Sequence, residues 1–296
     1  MTPWTDRSGK FSLLKAFVLA GLCLPALLLV LSALQGTLAP TTSLGPLGAR
    51  PITQAIHETG DWAIRFLLLS LAVTPLRRIA NWPKLIMVRR MVGLAGLFYA
   101  LAHLVLYSWD LKFDLVKVVV EIVQRFYLTI GFVALLGLVA LGSTSTDAAI
   151  RRLGRNWGRL HKIVYGIGVL TALHFFMQSK ADVYEPTLLA GLFMLLMFYR
   201  LAHWRGFNVT SPWVLVGVAC LAAFVTAGIE YAWYGLATGI PPGRVLAANL
   251  HFSFTVRPAW WVAAVGLVAA AVAYARPNFG KKAARQGGRR AARAAA

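Results

Sequence analysis

The chain is dominated by long stretches in which no position is charged. Residues 16–49, 126–146 and 206–229 contain no Asp, Glu, Lys or Arg. An uncharged, mostly apolar run of about 18 or more residues matches the hydrocarbon thickness of a bilayer when it is helical. Read this way, the pattern predicts eight membrane spans, at about 16–36, 59–76, 91–109, 126–142, 161–178, 187–204, 212–232 and 258–275. The first has the basic flank of a signal peptide in Arg7, Lys10 and Lys15. Its apolar run is too long for such a segment and no small-residue cleavage site follows, so it reads as an uncleaved span. The strict alternation of an outer-membrane barrel strand is absent.

The charges between the runs set an orientation. With the N-terminus inside, 22 of the 30 basic residues fall in inside segments, among them Arg77, Arg78, Arg89, Arg90, Arg151, Arg152, Arg155 and Arg159. Outside lie Arg50, Lys112, Lys117, Arg125, Lys180, Arg244 and Arg257. Positive charge collects in cytoplasmic loops, so both termini are expected in the cytoplasm and the chain in a bacterial inner membrane. The same asymmetry accounts for the net charge of +20, which in a soluble chain would suggest nucleic acid. No nucleic-acid partner is expected. The basic stretch from Lys281 to Arg293 reads as a disordered cytoplasmic tail drawn to anionic lipid.

Composition agrees: 58% of residues are hydrophobic and 14% charged, against about 25% charged in a soluble domain. Cys23 and Cys220 both lie inside apolar runs and form no CxxC or CxxCH pattern. That argues against disulfide scaffolds, zinc sites, iron–sulfur clusters and covalently attached haem.

Ionisable residues inside spans are costly and become candidates for function. His57 and His251 fall in expected outside loops, and His203 lies at an inside helix end. His103 and His174 are different. Each comes 12 residues after the inner start of its span (Met91 and Lys162), which places both about 18 Å above the inner boundary. Two imidazoles at one depth on parallel helices can face each other across a flat cofactor, as bis-histidine haem ligation requires. Gly93, Gly96, Gly166 and Gly168 nearby would admit a porphyrin, though small residues are also how membrane helices pack. Haem, a proton- or metal-handling site and hydrogen-bonded structural histidines all remain open on this chemistry.

His161 starts the fifth span about 20 Å of helix below His174, too far to share its iron. It could serve another cofactor, contact a quinone or flavin, or cap the helix. Arg65 stands four residues after Asp61. It could pair with that carboxylate or meet a haem propionate. The chain has no Rossmann fingerprint and no P-loop, so an electron donor would have to be a quinone or a separate flavoprotein.

Three segments together resemble one family: RPITQAIHETGDWAIRFLLLSLAVTPLRR (Arg50–Arg78), RRMVGLAGLFYALAHLVLY (Arg89–Tyr107) and IRRLGRNWGRLHKIVYGIGVLTALHFF (Ile150–Phe176). They are similar to the MsrQ (YedZ) family of ferric-reductase-like transmembrane proteins, over about residues 10–205. The resemblance implies an all-α membrane bundle carrying haem b, with His103, His161 and His174 as the functional histidines. It further implies electron transfer from the quinone pool or a flavin donor to MsrP, a periplasmic molybdopterin reductase of protein methionine sulfoxide. An association with FMN is implied by the resemblance alone. One haem is expected, and His161 leaves room for a second. The sequence departs from the family in Arg125-Phe126-Tyr127, where Arg-Pro-Tyr is common, and in continuing past six spans.

The expected organisation is a six-span haem-binding domain (1–205), a two-span extension (206–276) and the basic tail (277–296). The expected role is an electron-transfer subunit rather than the catalytic one. A ferric or cupric reductase of the same fold, and a secondary transporter with a histidine relay, are the alternatives. Inverted repeats and broken helices, the marks of many transporters, are not evident in the sequence.

Overall fold

The computed structural model describes residues 4–5, 9–35, 51–180, 182–252 and 255–294, without the side chains of 277–294. Its long helices are α1 (Leu13–Gln35), α2 (Pro51–Ile79), α3 (Arg89–Asp110), α5 (Phe126–Ser143), α8 (Val164–Ser179), α9 (Tyr184–Trp204), α10 (Pro212–Trp233) and α12 (Pro258–Ala294). Shorter helices are α4 (Leu115–Gln124), α6 (Asp147–Leu153), α7 (Arg155–Leu160) and α11 (Pro242–Leu250). Among the described residues the only β pairing is an isolated bridge between Thr5 and Phe11. A helix satisfies all its own backbone groups, which is why apolar runs in lipid take this form. The expected all-α membrane protein is what the chain forms.

Every predicted span corresponds to a helix. Seven of the described helices are long and apolar enough to cross a membrane. α2 is not among them, because Asp61 and Arg65 dilute its apolar run. It is nonetheless 29 residues long, about 44 Å of helix, with Phe66, Leu67, Leu68 and Leu71 buried. It begins earlier than expected and takes in His57, which is helical rather than in a loop. The expected outside loop after α3 contains α4, an amphipathic helix capped by Asp114, whose side chain accepts from the Lys117 amide. The expected inside loop before the fifth span contains α6 and α7. The expected tail from 277 falls where side chains lie outside the described residues; the helical backbone continues to Ala294. Arg50 also lies outside the described residues.

The chain divides into two compact units. The first comprises residues 1–71 and 86–180. Leu67, Leu97, Leu135, Leu138 and Ile167 form one buried cluster there, joining α2, α3, α5 and α8. A second cluster, with Leu22, Phe66 and Tyr99, joins α1 to α2 and α3. The Tyr99 hydroxyl donates to the Leu22 carbonyl at 2.9 Å and accepts from the Ala26 amide at 2.8 Å. It thus stands in the place of the backbone bond those two groups would share, one residue from Pro25.

The second unit comprises residues 72–85 and 181–296. α9, α10 and α12 approach closely through small residues. A Cβ on Gly191 would collide with Thr226 and Val262 side chains, and one on Gly266 would stand 2.5 Å from the Ala219 Cβ. Glu230 is 1% exposed and carries an ion pair with Arg257 at 2.5 Å; Asn249 also donates to it at 2.7 Å. Charge patterning places Arg257 outside and by itself assigns no role to Glu230.

Candidate functional site

The first unit brings His103 of α3 and His174 of α8 together. Their ring centroids are 6.3 Å apart and their planes cross at 89°. The equal depth read from the sequence predicted this juxtaposition. Each Nδ1 meets a backbone carbonyl: His103 that of Ile56 at 2.7 Å, and His174 that of Tyr127 at 2.8 Å. A carbonyl only accepts, so each ring carries its proton on Nδ1 and leaves the Nε2 lone pair available. Neither Nε2 has a hydrogen-bond partner among the described residues. An imidazole that ligates a metal usually donates its other N–H in this way, which fixes the tautomer and raises the basicity of the ligating nitrogen.

The two histidines are supported by the same device. Each lies 47 residues beyond the carbonyl it bonds. Each also rests against a glycine four residues beyond that carbonyl, Gly60 for His103 and Gly131 for His174. A Cβ on Gly60 would stand 3.0 Å from the His103 Nδ1, and one on Gly131 only 2.7 Å from the His174 Nδ1. One sequence interval therefore separates Ile56 from Tyr127, Gly60 from Gly131 and His103 from His174. Sequence reasoning missed these supports, although the shared interval between glycine and histidine was a signal that could have found them. The glycines it did select do other things. Gly96 packs α3 against the α2 backbone, a Cβ on Gly93 would meet Ser70, and one on Gly166 would meet nothing within 4 Å.

The pair fits an axially ligated haem. With Nδ1 of each ring bonded to a carbonyl and both Nε2 lone pairs left available, His103 and His174 would hold a haem iron between them. Groups of three or more His, Cys, Asp or Glu that could hold a metal ion by themselves are absent among the described residues.

His161 lies apart from this pair, in a 3₁₀ turn (His161–Ile163) that precedes α8. Its ring stacks on Trp157 with centroids 3.9 Å apart. Its Nδ1 lies 3.1 Å from the Trp157 carbonyl and its Nε2 3.4 Å from the Ser145 hydroxyl. Trp157 in turn donates through Nε1 to the Thr144 carbonyl at 2.9 Å. Both ring nitrogens thus face protein groups, and together they tie the turn to the end of α5. Arg65 places its guanidinium carbon 4.9 Å from the Trp62 ring centroid, a cation–π contact on α2. His57, His203 and His251 are all exposed.

The chain is a helical membrane protein of the ferric-reductase-like transmembrane class, with a histidine pair on separate helices. Residues 59–172 match the family model described as Ferric reductase like transmembrane component. Three relatives bear the name "Protein-methionine-sulfoxide reductase heme-binding subunit MsrQ". The one from Xanthomonas campestris pv. campestris (strain 8004) is 50% identical over 155 residues, 52% of this chain and 71% of the relative. That from Xanthomonas oryzae pv. oryzae (strain MAFF 311018) is 47% identical over the same shares. That from Rhodospirillum rubrum is 45% identical over 159 residues, 53% of this chain and 76% of the relative. The chain belongs to the MsrQ family. No solved structure matches it.

Proposed function

We propose that this chain is the haem-carrying electron-transfer subunit of a protein-methionine-sulfoxide reductase system, in which His103 and His174 would hold one haem b. The observation that carries the reading is the pair of imidazoles 6.3 Å apart, each anchored through Nδ1 to a carbonyl. The names borne by the relatives support it. Bound there, haem b supplies one-electron chemistry.

The protein's residues do the rest. The Ile56 and Tyr127 carbonyls hold both imidazoles in one tautomer. Gly60 and Gly131 let the rings lie against the α2 and α5 backbones. Leu67, Leu97, Leu135 and Leu138 keep water from the surroundings and lower the local dielectric. Arg65, steadied on Trp62, supplies positive charge for a carboxylate-bearing cofactor edge. His161 positions the inner end of α8 against α5, on the side where a donor would arrive.

Electrons come from quinol or a separate flavoprotein and leave to a periplasmic molybdopterin reductase similar to MsrP. The charge distribution supports an inner-membrane chain with both termini in the cytoplasm. Within the expected haem domain of residues 1–205 the histidine pair falls in the first unit, while α9 packs with the two-span extension of 206–276.

The test is spectroscopic. Protein purified in detergent should show a Soret band and sharp α and β bands on reduction with dithionite. His103→Ala and His174→Ala should each abolish those bands at unchanged levels of membrane-inserted chain. Retention of the full spectrum in both variants overturns the ligand assignment.

A further inference from the structure

The second unit contains a cleft of about 540 Å³ at the ends of α2 and α9, beside Arg276 midway along α12 and remote in sequence from His103 and His174. Arg78, His203 and Arg276 line it together with Asn81, Asn208 and Thr210, and no carboxylate does. Arg276 donates through Nη1 to the Arg78 and Ile79 carbonyls, at 3.3 Å each. That contact caps the C-terminus of α2 and fixes the guanidinium at the cleft. Its Nε and Nη2 donors remain for a ligand. The Arg78 guanidinium has no hydrogen bond or ion pair among the described residues.

The cleft lies at the depth of the membrane surface. Trp204, at the end of α9, is 76% exposed, and Trp213, at the start of α10, is 83% exposed. Exposed tryptophans at helix ends mark the headgroup level of a bilayer. Phe207, in the turn between those helices, lines the cleft and is also exposed. The charge distribution assigns this level to the cytoplasmic leaflet, where anionic lipids gather. Six further basic residues, Lys281 to Arg293, follow Arg276 in the sequence.

We propose that this cleft binds the phosphate of an anionic phospholipid headgroup, held by Arg78 and Arg276 with His203, Asn208 and Thr210 at its margin. The shared chemistry is a phosphate group. The flanking aromatics favour its lipid form over a soluble phosphate, because they offer the apolar contact that a soluble anion does not use. A bound headgroup would join the end of α2 to α9 and α12 in place of the charge repulsion between Arg78 and Arg276.

The experiment uses full-length, delipidated protein in detergent and labelled phosphatidylglycerol, with phosphatidylcholine as the reference lipid. Wild type should retain phosphatidylglycerol in preference. Arg78→Gln should lower that preference by about fivefold, the effect of one basic residue near an anionic surface. Arg276→Gln should lower it as well, but that variant also uncaps α2, so Arg78→Gln carries the decision. A chain in which the six basic residues from Lys281 to Arg293 are replaced by Gln should keep the preference. Unchanged retention in Arg78→Gln, or a preference that follows the tail instead, overturns the proposal. So does displacement of the lipid by equimolar inorganic phosphate, which would make the site one for a soluble anion.

Discussion

The ring of His103 stands perpendicular to that of His174, at 89°, with the two centroids 6.3 Å apart. The angle follows from the supports, since the Ile56 and Tyr127 carbonyls come from different helices and approach the rings independently. Crossed axial imidazoles leave two iron d orbitals nearly equal in energy. The ferric protein should therefore show a strongly anisotropic low-spin electron paramagnetic resonance signal. A rhombic signal of the kind given by parallel rings would mean that the carbonyl contacts are not kept in the haem-loaded protein.

Gly131 and Gly60 support the same chemistry at different distances, and their alanine variants should differ in degree. A Cβ at residue 131 would meet the His174 ring at 2.7 Å, closer than real contacts allow, and one at residue 60 would meet the His103 ring at 3.0 Å. Gly131→Ala should displace the imidazole and strongly reduce low-spin haem content, whereas Gly60→Ala should retain more haem with shifted bands. Haem content and band positions at equal protein level check this ordering.

His161 is held by the Trp157 stack and by contacts at both nitrogens. His161→Ala should leave most of the haem bound between His103 and His174. Reduction by the physiological donor should slow while reduction by dithionite, which needs no docking surface, proceeds as before. Equal donor-driven rates at equal haem content would confine His161 to a helix-start role. Loss of about half the haem would point instead to a second haem.

Truncation after Asn208 removes α10 and α12, the helices against which α9 buries Thr187, Leu195 and Tyr199. The histidine pair lies wholly in the first unit, so the truncated chain should still bind haem for each inserted molecule. Its yield and thermal stability should fall. Normal membrane levels with no haem would show that the extension helps build the site.

Glu230 and Arg257 offer a test within the second unit. Removing one partner of a buried pair leaves the other uncompensated, so Glu230→Ala should destabilise the detergent-solubilised protein by about 3 kcal/mol. Glu230→Gln, which keeps a hydrogen-bond acceptor for Asn249, should cost less. Thermal unfolding of the two variants measures the difference, and the haem spectrum should be unchanged in both.

The sequence by itself determined the helical membrane class, because uncharged runs of that length have no other stable form in lipid. It also determined the shared depth of His103 and His174, because helix rise converts residue number directly into height. Depth leaves rotation about the helix axis open. Which way each imidazole turned was decided only by tertiary structure, when α2 and α5 presented a carbonyl and a glycine to each ring. The glycines at 60 and 131 were visible as letters, but their purpose depended on histidines 43 residues away along the chain. The short helices α4, α6 and α7 and the Glu230–Arg257 pair escaped for a related reason. Charge counting assigns a residue to a side of the membrane, whereas burial of a carboxylate at 1% exposure depends on how α10, α11 and α12 close around it.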